Sequence, residues 1–260
     1  MKRTLYYLPR TWNDFVGLPG PVTHFKNMIR IIRKEKKLIE MSTLLIGPPG
    51  TGKSGLVRKF GQSLLCERLN EDTLDACNEC TSCTELTYLE GNDDIKSRLE
   101  EVEYVFSPID CTRTKDNALE VRLWDLTSAP NIIRIAHLEE VGMLGERSQD
   151  RTLLVPMDDR GFIWIGTGMS SQGLTPAFLR RFPVKLRMTL PSKDELAIWL
   201  AKRCKERGIQ CSSLDILRRL AERAQFRPGY GLQVINFSET LATPNLTMEI
   251  VEDFLFDFET

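Results

Sequence analysis

The hydrophobic pattern changes period along the chain. Residues 43–46, 105–110, 132–138 and 162–168 are short apolar runs of the length of buried strands. Residues 21–40 instead repeat apolar side chains at helical spacing. Phe25, Met28, Ile29, Ile32 and Leu38 share one face, and Lys26, Arg30, Arg33, Lys34, Lys36 and Lys37 the other. Helices are also predicted over 53–65, from Arg113 onward with Leu119, Val121, Leu123 and Trp124, and over 175–182. From about residue 190 only the helical period remains, in segments 193–207, 213–224, 231–241 and 247–256. Ser192, followed three positions later by Glu195, is a capping-box start for the first of these. Strands alternating with helices, then helices alone, predict two units. An α/β domain with a parallel sheet flanked by helices spans residues 1–189, and a small all-α domain spans 190–260.

Composition narrows the classes. Apolar residues make up 42% of the 260, enough to build a core, which excludes global disorder. The net charge of −1 provides no bulk attraction for nucleic acid, so any DNA contact must come from a local patch. The basic face of 21–40 is such a patch, or simply a solvated surface. No apolar run approaches the ~20 residues of a membrane span, and the N-terminus lacks a signal-peptide core. A soluble, cytoplasmic protein with no membrane partner is expected.

Candidate chemistry lies between the first strand and the helix that follows it. The stretch reads Gly47-Pro48-Pro49-Gly50-Thr51-Gly52-Lys53-Ser54. Strand, glycine-rich turn and helix in this order form a phosphate-binding loop. Backbone N–H groups and the helix N-terminus would face phosphate oxygens. Lys53 would reach the β- and γ-phosphates, and Ser54 would help hold Mg²⁺. The apolar run 132–138 leads into paired carboxylates, Glu139 and Glu140. Beside a phosphate loop, Glu139 would hold Mg²⁺ and Glu140 would polarise the attacking water; otherwise the strand merely ends in surface acids. His137 reads as a packing residue. Thr167 ends the last apolar run, placed to touch the γ-phosphate or the water. Arg180 and Arg181 close the short helix and, taken alone, would be solvated.

Four of the seven cysteines cluster: Cys66, then Cys77, Cys80 and Cys83. Two overlapping C-x-x-C steps with a fourth thiol nearby suit a closed, four-thiolate structural zinc site. A redox dithiol or free thiols are the alternatives. Cys111, Cys204 and Cys211 are scattered and read as packing residues.

These residues together resemble the AAA+ ATPases and, within them, the bacterial clamp-loader subunits of the gamma/tau type. The likeness covers essentially the whole chain. The implied fold is a P-loop AAA+ core with a parallel sheet flanked by helices, plus a small all-α lid. Residues 9–17 resemble the family's adenine-side motif, which brings Val16 to the base. The cysteine quartet, about residues 66–83, resembles the family's zinc module. Ile109-Asp110 with Arg113-Thr114-Lys115 resembles the strand and helix after it. Residues 138–144 resemble the Walker B strand, Thr167 the sensor-1 position, and 179–182 the stretch bearing the arginine finger, which makes Arg181 the finger. The resemblance implies ATP, Mg²⁺ and structural Zn²⁺, a homo- or hetero-oligomeric ring or arc, DNA, and a sliding clamp or other ring protein as partner. Its implied work is loading that ring onto DNA. A regulator or matchmaker of a mobile-element or phage DNA transaction, or a weakly catalytic assembly subunit, is the alternative. The sequence departs from the family in three respects. Glu139 stands where Asp is usual, Leu232 occupies the sensor-2 arginine position with Arg227 out of register nearby, and a protein without the family's collar domain after the lid is expected.

Overall fold

The computed structural model describes residues 9–35, 41–85, 104–112, 133–158, 162–241 and 244–254. The helix expected after Arg113 and the stretch from Lys36 to Leu38 lie outside them. Helix α1 (Pro19–Glu35) opens two residues earlier than the pattern suggested, with Pro19 and Pro21 in its first turn. Its apolar face is buried at Phe25, Met28, Ile29 and Ile32. Then follow β1 (Thr43–Ile46), α2 (Lys53–Leu65), α3 (Thr81–Glu85), β2 (Tyr104–Asp110), β3 (Ile133–Glu139), α4 (Gly142–Glu146), α5 (Leu154–Met157), β4 (Phe162–Gly168), α6 (Pro176–Arg180) and β5 (Val184–Arg187). The C-terminal part holds α7 (Lys193–Glu206), β6 (Gln210–Cys211), α8 (Leu214–Arg223), α9 (Pro228–Glu239), β7 (Asn245–Leu246) and α10 (Met248–Asp253).

Strands β1 to β5 form one parallel sheet in the order β2-β3-β4-β1-β5. Successive side chains alternate between its faces. Leu45, Ile163 and Ile165 join a cluster with α1 and α2, whereas Leu44, Trp164, Ala136 and Leu138 join one with Phe178 and Phe182. Both faces are therefore covered, as a parallel sheet requires. A third cluster, from Leu196 to Val251, is the core of the lid. The lid is not purely helical. After Gly208 (φ +67°) the chain extends beside residues 244–246, with buried Ile209 and Leu246 anchoring a two-residue parallel ladder. Among the described residues no helix is long and apolar enough to cross a membrane.

The segment before α1 ties three parts together. A single 3-10 turn (Trp12–Asp14) buries Trp12 and Asp14. Trp12 donates its indole N–H to Leu74 O at 2.6 Å and its amide to Asp75 at 2.7 Å, both in the cysteine loop. The buried Lys59 of α2 and Asn78 both donate to Arg10 O. Towards the lid, the Asp14 carboxylate meets Arg203 at 2.8 Å, and Asp14 O accepts from the Trp199 indole at 2.9 Å.

Candidate active site

The phosphate loop leaves β1 at its carboxyl end, between β4 and β5, where ligands of parallel sheets bind. Gly47 N donates to Gly168 O, and the loop passes tightly under Met188. Gly50 and Gly52 take φ of +74° and +92°, angles that glycine adopts without strain. Thr51 Oγ1 donates to Pro48 O, and Leu56 N starts α2 by donating to Gly52 O. Pro48, Pro49 and Ser54 line the same turn, partly exposed. Lys53 is buried with its ammonium on Gly47 O (2.7 Å) and Pro48 O (2.9 Å). Burial lowers its pKa, nearby Glu140 opposes that, and nearby Arg227 adds to it. An anionic phosphate oxygen is a stronger acceptor for this ammonium than either carbonyl.

The two carboxylates at the end of β3 do different things. Glu139 is the last strand residue, and its Oε1 lies 3.9 Å from Arg58 of α2 and 3.5 Å from His137 Nδ1. Glu140 turns out of the strand with φ +55°, unusual for a residue with a side chain, and is exposed on the Lys53 side. The turn is fixed by Val141 N donating to Thr167 O. Thr167 is buried, its Oγ1 at 3.2 Å from His137 Nε2 and 3.4 Å from Leu138 O. His137 thus packs in the core, as the sequence suggested, but between two site residues. It lies two positions from Glu139 on one strand and therefore on one face, a period-2 signal available in the sequence. Complete burial lowers its pKa to about 3, so the ring is neutral.

The lid reaches the loop directly. Gly229 N donates to Gly50 O at 2.9 Å, and the Arg227 and Tyr230 side chains lie beside Gly50. Leu232 packs against the lid core instead. Its register gave no arginine here, yet the fold brings in Arg227, because α9 begins at Pro228 with Arg227 as its N-cap. Val16 packs on the lid core, and the Phe15 ring lies 3.8 Å from where Cβ atoms on Gly52 and Gly55 would stand. Phe15 was not singled out in the sequence. Arg181 is held by its own chain: Nε to Leu154 O, Nη1 to Ala177 O, both 2.9 Å, and Nη2 to Asp158 at 2.5 Å. None of these partners belongs to the phosphate loop. Arg180 is exposed.

The sulfurs of Cys66, Cys77, Cys80 and Cys83 all lie within 4.8 Å of one another. Cys77–Cys83 is 3.9 Å and Cys80–Cys83 is 3.4 Å. A zinc ion with ~2.3 Å bonds to four sulfurs has tetrahedral edges of about 3.8 Å, so the donor set fits. Amides donate to the sulfurs, Cys77 N to Cys66 and Cys80 N to Cys77. The backbone N–H groups of Glu79 and Cys80 draw the Cys77 thiol down to about 6, towards the thiolate a metal needs, whereas burial pushes the Cys66 and Cys83 thiols up, so a metal would have to displace their protons. Cys111 is buried in the cluster with Phe178 and Phe182, Cys204 is buried in the lid core, and Cys211 packs against the lid core.

Residues 43–190 match the AAA family, described as ATPases associated with various cellular activities. No curated protein matches the chain. Among solved structures, Thermotoga maritima RuvB, titled a Holliday junction branch migration motor, is 14% identical with a TM-score of 0.63, covering 94% of this chain and 70% of that one. C. elegans PCH-2 is 13% identical with a TM-score of 0.56, covering 92% and 68%. At such identities the likeness shows a shared fold, and it is the same parallel α/β fold with lid. The match over 43–190 covers more than half of the 260 residues and includes the loop, Glu139, Glu140 and Thr167, so the chain belongs to the AAA family and is a P-loop ATPase that hydrolyses ATP with Mg²⁺.

Proposed function

We propose that this ATPase works in a ring or arc on DNA, in the manner of a clamp loader, with each ATP cleaved at a seam between two copies or close relatives. The nucleotide would lie between the α/β domain (1–189) and the lid (190–260). Amides from Gly50 to Gly52 and the Lys53 ammonium hold its phosphates, and Val16 with Phe15 borders the base. Ser54 and Glu139 would hold Mg²⁺, which would neutralise charge on the phosphates. Glu140 polarises the attacking water, Thr167 lies beside it, and Arg227 supplies the lid contact in place of Leu232. An arginine of the 180–181 pair reaches the neighbour's γ-phosphate, a contact that contributes ~10³–10⁵ in rate. The single observation that carries this reading is the meeting of Lys53, Glu140 and Arg227 around one loop, with Arg181 bonded only to groups outside it.

Arg181→Ala and Arg180→Ala separate the two arginines. The true finger, once removed, leaves ATP binding intact and abolishes hydrolysis. Arg181 must release Asp158 to act, whereas Arg180 is already exposed. Hydrolysis per molecule should rise with protein concentration; a rate independent of concentration overturns the seam. Clamp loading is favoured by the cysteine quartet directly after α2. A second reading, a motor on branched DNA, is favoured by the fold shared with RuvB. Stimulation by a clamp on primed DNA supports the first, and stimulation by a four-way junction alone supports the second.

A further inference from the structure

We propose that Tyr230 is a positioning residue of the nucleotide site, its ring holding the Arg227 guanidinium beside the phosphate loop before the nucleotide arrives. This deepens the assignment above and rests on Arg227 being the lid's contact with the phosphates.

The lid delivers Arg227 through an unusual piece of chain. Between α8 and α9, Gln225 and Phe226 take φ of +50° and +59°, two successive left-handed residues that bear side chains. Such residues are strained and persist only where their surroundings impose them. Here Gln225 N donates to Glu222 O and Phe226 N to Ala221 O, both at 2.9 Å, and the Phe226 side chain packs against the lid core. The chain is thereby turned onto the phosphate loop, where Gly229 N meets Gly50 O. Both side chains border the same glycine. A Cβ on Gly50 would stand 3.3 Å from Arg227 Cβ and 3.6 Å from Tyr230 Cδ1.

The first turn of α9 sets the pair together. The amides of Tyr230 and Gly231 both donate to Arg227 O, and residues three apart on such a turn are neighbours. The guanidinium carbon lies 5.2 Å from the Tyr230 ring centroid, within the range of a cation–π contact. Arg227 Nη1 also approaches the Tyr230 hydroxyl, but at 3.4 Å that hydrogen bond is long. The ring face is therefore the main support. Support is needed because the loop already holds a cation, the buried Lys53 ammonium on Gly47 O and Pro48 O. Two like charges around one turn repel until an anion lies between them. Against the ring, the guanidinium keeps its place despite that repulsion, and its side-chain freedom is already restricted when the phosphates bind.

The test compares Tyr230→Phe, Tyr230→Leu and Arg227→Met, with Tyr230→Leu made also in the Arg227→Met protein. The readouts are the Kd of a non-hydrolysable ATP analogue and the unfolding midpoint. Tyr230→Leu should weaken binding about fivefold, the worth of one cation–π contact. Tyr230→Phe keeps the ring face and should bind nearly as well as the unaltered protein. In the Arg227→Met background, Tyr230→Leu should change nothing further, since a pair that acts together is not additive. The proposal is overturned by normal binding in Tyr230→Leu, by equal losses in both backgrounds, by a Phe variant as weak as the Leu one, or by losses that merely track the unfolding midpoint. Each of these leaves the reading of Arg227 standing as long as Arg227→Met alone binds the analogue weakly. If Arg227→Met binds it normally, the reading of Arg227 fails and the role of Tyr230 falls with it.

Discussion

At the scale of single residues, Gly47 is fixed by space. A Cβ there would stand 2.6 Å from Met188 O and 2.8 Å from Met188 Cβ, against the backbone that follows β5. Neither can swing aside as a flexible side-chain end would. Gly47→Ala should destabilise the fold by about 1–3 kcal/mol. It should also weaken ATP binding, because the loop amides move with the backbone. Urea unfolding and an ATP titration check both, and a variant that is less stable yet binds ATP normally would uncouple the loop from Met188. The phosphate loop was legible letter by letter because each glycine answers a local steric demand. The sequence assigned Glu139 and Glu140 separate roles but not the geometry that separates them: the positive φ at Glu140 sends one towards Arg58 and His137 and the other towards Lys53.

Between residue and domain lie the elements, and their ends were the readable part where a side chain marks them. Ser192 Oγ accepts from Glu195 N at 3.3 Å, and the Glu195 carboxylate accepts from Ser192 N at 2.8 Å, so α7 starts where its capping box stands in the sequence. That second hydrogen bond holds the Glu195 pKa below its ordinary value. A depressed carboxylate contributes stability above its unfolded pKa and loses it as pH falls through the lower folded one. Glu195→Gln should therefore lower the unfolding temperature at neutral pH, and the loss should shrink in acid, as thermal unfolding at the two pH values would report; an equal loss at both would leave the box without its carboxylate half. Elements that depend on distant partners were hidden. β5 was missed because Val184-Lys185-Leu186-Arg187 alternates half-buried apolar with exposed basic residues over only four positions. Such a short basic strand suits a sheet edge but resembles a linker. On α1, Arg33 looked like part of a solvated basic face. It instead donates to Ser63, Leu64 and Cys66 carbonyls, the unpaired C-terminal acceptors of α2.

Across the whole molecule, the cysteine loop, the N-terminal segment and the lid form one mechanical series. Leu74 and Asn78 adopt positive φ within the cysteine loop, and that loop carries the Leu74 carbonyl and the Asp75 carboxylate that hold Trp12. Two residues on, Asp14 holds Arg203 and Trp199 of α7. Asp14 and Arg203 are 5% and 1% exposed, and Glu206 also meets Arg203 at 2.9 Å, so removing Asp14 takes away one of two compensating carboxylates. Asp14→Ala should cost about 1–3 kcal/mol in urea unfolding. The other end of the series is tested by metal. A thiolate site formed only in the folded chain adds its binding free energy to folding. Loading the purified protein with zinc should bind one ion per chain, and a chelator should then lower the unfolding temperature. The change should not stay in the loop. Hydrogen exchange should rise in residues 66–83 and, through Trp12, in residues 9–17, while the lid helices keep their protection because their own cluster is intact. Since Phe15 and Val16 lie in the loosened segment, ATP should bind more weakly to the chelated protein and recover when zinc is restored. Exchange confined to 66–83, with ATP binding unmoved, would mean that the segment is held by Lys59 and the lid alone.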